Sequence, residues 1–241
     1  MVFNLKCISL SQQDIKQNIT IPQELTPELA ELVGVIIGDG HIYKNKSAYV
    51  IGFTGNPKLE EEYYEYLKRL IKIVWNKEVK IKKEKSSIRI ILRSKGIFEF
   101  LTKELGLVYG GKCSQYKFIP HIIVKDWNLV KYAIRGLADT DGSIFVADKP
   151  GSLAYPSIEI TTTSHTLAFS LREILLNKKF RVANIWKYCS KRSKLITYKI
   201  PLNGFKNLLK WNNEIGFSNL YKAQKAKTVL ERKWARGDLN P

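Results

Sequence analysis

A nine-residue segment occurs twice in this chain. Leu32-Val33-Gly34-Val35-Ile36-Ile37-Gly38-Asp39-Gly40 returns 102 residues later as Ile134-Arg135-Gly136-Leu137-Ala138-Asp139-Thr140-Asp141-Gly142. The likeness continues downstream. Thr54-Gly55-Asn56-Pro57-Lys58-Leu59 resembles Thr162-Thr163-Ser164-His165-Thr166-Leu167 at an offset of 108, and Leu105-Gly106-Leu107 matches Ile215-Gly216-Phe217 at 110. Offsets that drift slowly and keep their order denote a duplicated unit with short insertions. The 241 residues therefore divide into two copies of about 120 residues each, enough for a packed core in both.

Each copy reads as the same succession of elements. Thr26 can cap a helix that has Pro27 at its first position and runs to Gly38, and Asp126 can cap a second that runs to Leu137. Two strands are expected after each helix, 41–44 and 48–54 in the first copy, 143–147 and 156–163 in the second. A helix follows over 57–75 and over 164–177. Ile88, Ile90 and Leu92 then alternate with Arg89 and Arg93, as Ile196, Tyr198 and Ile200 alternate with Thr197 and Lys199. That period of two describes a sheet with one buried face and one open face. Helices over 97–105 and 205–215 close the copies, and a last helix is expected over 218–234. The class is α+β, with two pseudo-symmetric αββαββα halves, each holding an antiparallel sheet, packed through their central motif helices. The expected domains are an N-terminal extension (1–26), a first half (27–121) and a second half (122–241) with the C-terminal helix.

Within the repeated segment, Gly34 and Gly38, and correspondingly Gly136 and Thr140, lie four positions apart on one helix face. Small residues there let two helices approach backbone to backbone. If the two copies pack those faces together, Asp39 and Asp141 converge at the helix C-termini. Gly40 and Gly142 behind them suit a chain that leaves a helix in the left-handed conformation. Helix dipole and mutual repulsion both oppose ionisation of such acids, and a divalent cation resolves the conflict. Oxygen donors without clustered histidine or cysteine point to Mg²⁺ rather than zinc.

Composition narrows the partner. Lys plus Arg number 40 against 22 acids, a net charge of +18. The surplus is segregated: the stretch 79–95 has seven basic residues and one acid, and 178–199 has eight basic residues and no acid. Segregated basic charge favours a nucleic-acid face. The residues expected on it are Lys44, Lys46, Lys80, Lys82, Arg89, Arg93, Lys187, Arg192 and Lys199. Cys7, Cys113 and Cys189 lie far apart without a CxxC, so neither a zinc site nor a disulfide framework is indicated. No apolar run is long enough to span a bilayer, and no P-loop, nucleotide fingerprint or Ser/His/Asp arrangement is visible. An intracellular, nucleoid-associated location is expected, with an organelle as the other setting. His41, directly after Gly40, is read as structural rather than as a general base.

With both motifs in view, the chain resembles the LAGLIDADG homing endonucleases in their single-chain, two-motif form. The resemblance covers nearly everything after Pro22. It implies two saddle-like sheets in the DNA major groove and metal-dependent cleavage of both strands across the minor groove, leaving short 3′ overhangs, by an intron-encoded enzyme. By that resemblance the metal-binding acids are Asp39 and Asp141, the metal-contacting backbone carbonyls are those of Gly38 and Thr140, and the cofactor is Mg²⁺ or Mn²⁺. The family's helper lysine falls on Lys112 and Lys222, both catalytic candidates, which follow the two Leu-Gly-Leu-like segments at a common offset of 110. The sixth motif position departs from the family pattern in the first copy, where it is Ile37; Asp139 holds it in the second and is not assigned to catalysis. The expected partner is double-stranded DNA with a long, asymmetric site bound by a monomer, with intron RNA as a further partner. The competing reading on the same fold is an RNA maturase or a non-catalytic DNA-binding protein.

Overall fold

The computed structural model describes residues 2–46, 48–110, 117–149, 152–189 and 195–234. After a short helix α1 (Gln12–Lys16), the chain forms α2 (Pro27–Gly38), β1 (Gly40–Lys44), β2 (Tyr49–Gly55), α3 (Glu61–Trp75), β3 (Ile81–Lys83), β4 (Ile88–Arg93) and α4 (Lys95–Glu99). The last of these continues as a π turn over Phe100–Glu104. A four-residue helix α5 (His121–Val124) leads into the second series: α6 (Trp127–Asp141), β5 (Gly142–Lys149), β6 (Ser152–Thr162), α7 (His165–Asn177), β7 (Trp186–Cys189), β8 (Ile196–Asn203), α8 (Phe205–Glu214) and a final α9 (Leu220–Trp234). The αββαββα order is thus present twice. The two antiparallel sheets share one topology, β1-β2-β4-β3 and β5-β6-β8-β7.

Local chemistry sets the element starts. The Thr26 hydroxyl accepts the Leu29 N–H at 3.2 Å and Pro27 takes the first turn of α2. Asp126 accepts the Asn128 N–H at 2.8 Å at the start of α6. Helix α3 begins at Glu61, four residues later than the sequence predicts. The stretch 56–60 closes instead as a turn, in which the Asn56 N–H reaches the Glu60 carboxylate at 2.6 Å. In β4, Ile88, Ile90 and Leu92 are buried while Arg89, Ile91 and Arg93 are exposed.

Helices α2 and α6 form the seam between the halves, and their backbones touch. A Cβ placed on Gly34 would stand 2.0 Å from the Ala133 carbonyl oxygen, and one on Gly136 would stand 2.2 Å from that of Glu31. No side chain fits at either position. The apolar cluster runs continuously through this seam, from Leu29, Leu32 and Val33 on one helix to Ala133, Ile134 and Leu137 on the other.

Gly40 and Gly142 correct the sequence expectation. Neither has a positive φ; Gly142 is extended at φ −94°, ψ 157°. Their glycine character is required by proximity instead. A Cβ on Gly40 would meet the Ile36 carbonyl oxygen at 2.4 Å, and one on Gly142 would meet that of Ala138 at 2.3 Å. The chain folds back tightly against the helix end, so the acid just before each glycine stays at the seam.

Candidate active site

The packing of α2 against α6 brings the two motif acids together. Asp39 is the C-cap of α2, and Asp141 is the last residue of α6. One Asp141 carboxylate oxygen lies 3.6 Å from where a Cβ on Gly38 would be, directly beside Asp39. Burial drives the Asp39 pKa up to about 7, with repulsion from Asp141 and then from Glu60 adding to it; Lys222 and Lys117 pull the other way. Burial likewise raises Asp141, again against the two lysines. Two carboxylates are therefore held where neither ionises easily. Glu60 is a third acid within electrostatic reach that the motifs did not signal.

A lysine serves each motif. Lys222, on the first turn of α9, donates to the carbonyls of Ala138 at 2.9 Å, Asp139 at 2.6 Å and Thr140 at 3.3 Å. Burial lowers its pKa, and the surrounding acids Asp139, Glu60, Asp39 and Asp141 raise it in part. On the other side, Lys117 donates to the Gly38 carbonyl at 2.6 Å. The residue expected from the sequence, Lys112, lies outside the described residues; the lysine seen at the first motif is Lys117. Lys222 sits in a helix, whereas Lys117 sits in the non-helical approach to α5. The Gly38 and Thr140 carbonyls, expected to face a metal, both receive a lysine ammonium.

Asp139 does different work. Fully buried, it accepts the N–H groups of Ser218 at 2.9 Å and Asn219 at 3.1 Å. It thereby holds the N-terminus of α9, a site where a helix favours a negative charge. Ile37 stands at the same place in the first motif.

The cleft at the acids is lined by Gly38, Lys117, Asp141, Thr161, Thr162, Thr163 and Thr197. Strand pairing assigns the remaining basic residues to faces. Lys82 lies opposite Arg89, and Arg89 opposite Thr54, on the open face of the first sheet, which also carries Arg93 and the His41–Tyr43 ring stack. The His41 ring covers Gly52: a Cβ there would meet Nε2 at 2.2 Å. His41 is thus a sheet-face residue. Lys44 lies at the end of β1 over the Tyr49 ring, and exposed Lys46 and Lys80 lie outside the strands. In the second sheet, Lys199 is on the open face and pairs with Glu159 at 2.8 Å. Lys187 does not share that face. It lies opposite Tyr198, with core parity, on the edge strand. Trp186 and Tyr188 take the open face in its place, 70% and 59% exposed. Arg192 lies outside the described residues.

Residues 128–216 match the family model described as a LAGLIDADG-like domain. That stretch of the second half carries a LAGLIDADG-like domain. Solved homing endonucleases share the fold over most of the chain. The homing endonuclease I-WcaI bound to its DNA recognition sequence is 20% identical, covering 91% of this chain and 92% of that one, with a TM-score of 0.56. I-SmaMI bound to uncleaved DNA in the presence of calcium ions is 15% identical, covering 90% and 95%, at 0.55. I-DmoI in complex with DNA and Ca is 17% identical, covering 85% and 97%, also at 0.55. Among curated proteins, the replication factor C small subunit of Methanocaldococcus jannaschii is 31% identical over 205 residues, 85% of this chain and 10% of that protein. The glutamine–fructose-6-phosphate aminotransferase of the same organism is 24% identical over 220 residues, 89% of this chain and 18% of that protein. The chain thus spans between a tenth and a fifth of the length of these two relatives.

Proposed function

We propose that this chain is a site-specific endonuclease that hydrolyses both strands of a DNA duplex across the minor groove, leaving short 3′ overhangs. The observation that carries the reading is the pairing of Asp39 and Asp141 at the ends of two helices in backbone contact, with one lysine on each side. The DNA-bound homing endonucleases of the same fold support it, and those solved with manganese or magnesium supply the metal precedent.

The residues fit Mg²⁺ or Mn²⁺. Among the described residues no group of three or more His, Cys, Asp or Glu could hold a metal, so an ion here would have two carboxylates plus water and substrate phosphate, the donor set Mg²⁺ accepts. The ion would supply a water nucleophile of lowered pKa and charge stabilisation at the scissile phosphate. The chain's own part is geometric and electrostatic. Asp39 and Asp141 offer one carboxylate from each half at the seam. Lys117 and Lys222 place one ammonium at each motif, where it stabilises the charge that develops on one strand's phosphate or orients a water. Each lysine must exchange a backbone carbonyl for that phosphate when DNA binds.

The open sheet faces supply the groove contacts, with Lys82, Arg89, Arg93 and Lys199 in register for them. Two unlike halves in one chain imply a monomer on an asymmetric site. The same module lies within a replication factor and within an aminotransferase, over 205 and 220 matched residues. Segments of this kind translated within hosts so different travel independently of them, which supports a mobile homing enzyme. The test is to select a target from a randomised duplex library by binding, then to incubate it with the protein and Mg²⁺. Cleavage of both strands at one position supports the reading; tight binding without cleavage, with RNA bound in preference, favours the maturase.

A further inference from the structure

The buried polar cluster across the seam has no part in the chemistry described so far. Glu31 of α2 is 1% exposed and gathers groups from two other helices and from the turn before α9. The Tyr66 hydroxyl of α3 donates to its Oε1 at 2.8 Å, the Ser218 hydroxyl donates to the same oxygen at 2.6 Å, and the Arg135 guanidinium of α6 pairs with Oε2. Ser218 is the junction. Its hydroxyl points to Glu31 of the first half, while its N–H and that of Asn219 are held by Asp139 of the second. Asn219 caps α9 by accepting the Lys222 N–H at 3.4 Å, and Lys222 follows within that first turn.

We propose that Glu31, acting through the Ser218 hydroxyl, is a positioning residue for Lys222, so that an acid of the first half sets the geometry of the lysine serving the second motif. The inference rests on the endonuclease reading above. Its physical basis is that Lys222 reaches three carbonyls from a helix whose start is pinned at two acids. Release of one pin lets the start of α9 tilt, and a shift of about 1 Å at a catalytic group can cost as much as a hundredfold in rate. At the first motif a different contact crosses the seam: the Ser164 hydroxyl, at the start of α7 in the second half, donates to the Lys117 carbonyl at 2.7 Å. Each lysine is therefore tied to the opposite half.

The experiment follows strand-resolved nicking of a selected duplex target, labelled on both strands, under saturating protein and Mg²⁺, together with the rate of reductive methylation of Lys222 read by mass spectrometry without DNA. Lys222→Met first identifies the strand that this lysine serves. Ser218→Ala should slow that same strand about tenfold more than the other, leave target affinity unchanged, and raise the methylation rate of Lys222 severalfold. Ser218→Thr, which keeps the hydroxyl, should restore both readouts. Tyr66→Phe removes the other hydroxyl donor to Glu31 Oε1 and should leave the strand ratio at the parental value, although it weakens the same cluster. Equal slowing of both strands by Ser218→Ala, or a parental strand ratio with unchanged methylation, overturns the inference while the endonuclease reading stands. A Lys222→Met protein that cuts both strands at the parental rate overturns the lysine assignment and this inference together, and a parental protein that cuts no selected target overturns the reading beneath them.

Discussion

At the scale of single residues, the site holds its acids at an energetic disadvantage. An acid whose folded pKa is raised binds its proton more tightly in the folded state, so its contribution to stability is favourable at low pH and is lost as pH rises from the unfolded value near 4 toward 7. For Asp39 that window ends at about 7. Asp39→Asn should therefore stabilise the metal-free protein at pH 8 by an amount on the order of 2–4 kcal/mol, read as a higher thermal midpoint, and change it little at pH 3, where the aspartate is mostly protonated in both states. Thermal melts at the two pH values check this. Saturating Mg²⁺ should narrow the gap, because the ion neutralises the same repulsion. On the proposed function, stability is given up at this position for metal binding. Lys117→Met should slow cleavage with little loss of binding, since phosphate affinity is spread over many basic groups; single-turnover rates on the selected target test it.

At the scale of elements, the helix seam follows from its glycines. Gly34→Ala places a methyl group 2.0 Å from a backbone oxygen. Backbone cannot swing aside as a side chain can, so the cost should be about 3 kcal/mol or more, read as a lowered urea midpoint. The N-terminal segment offers a second test. Burial raises the Asp14 pKa, but bonds from the Ser11 backbone, the Ser94 side chain and the Gly96 N–H outweigh it, and the net shift is downward. A depressed acid contributes stability above its unfolded pKa and loses it as pH falls through the folded one. Ser11→Ala should then destabilise at pH 7 by about 1 kcal/mol and by much less at pH 2. The element order was legible in the sequence because Thr26, Pro27 and Asp126 mark helix starts and β4 alternates strictly. Lys117 was not, because a loop between elements has no fixed length to count along. The parity of Lys187 was not either: β7 is a short edge strand whose residues are all exposed, so hydrophobic alternation gave no phase. The reason for Gly40 was hidden because a close approach and a positive φ select the same residue.

At the scale of the whole molecule, the two sheets are alike in topology and unlike in surface. The first presents Lys82, Arg89 and Arg93, and the second presents Lys199 with the exposed rings of Trp186 and Tyr188. Affinity for the target should fall with salt at a log–log slope of about −0.9 per neutralised phosphate, near −5 for six contacts, and sedimentation should show one protein per duplex. Aromatic side chains on the second face should make its half of the site the less salt-sensitive; Trp186→Ala should weaken binding while leaving the slope in place. All of this rests on the two acids forming one site. The most direct measurement is linearisation of a supercoiled plasmid carrying the selected target by the parental protein, Asp39→Asn and Asp141→Asn, each at saturating protein with Mg²⁺ and with EDTA. The account predicts linear product from the parental protein with Mg²⁺ alone, and full-affinity binding without linearisation by either variant. Linearisation at the parental rate by either variant, or by the parental protein in EDTA, would contradict it.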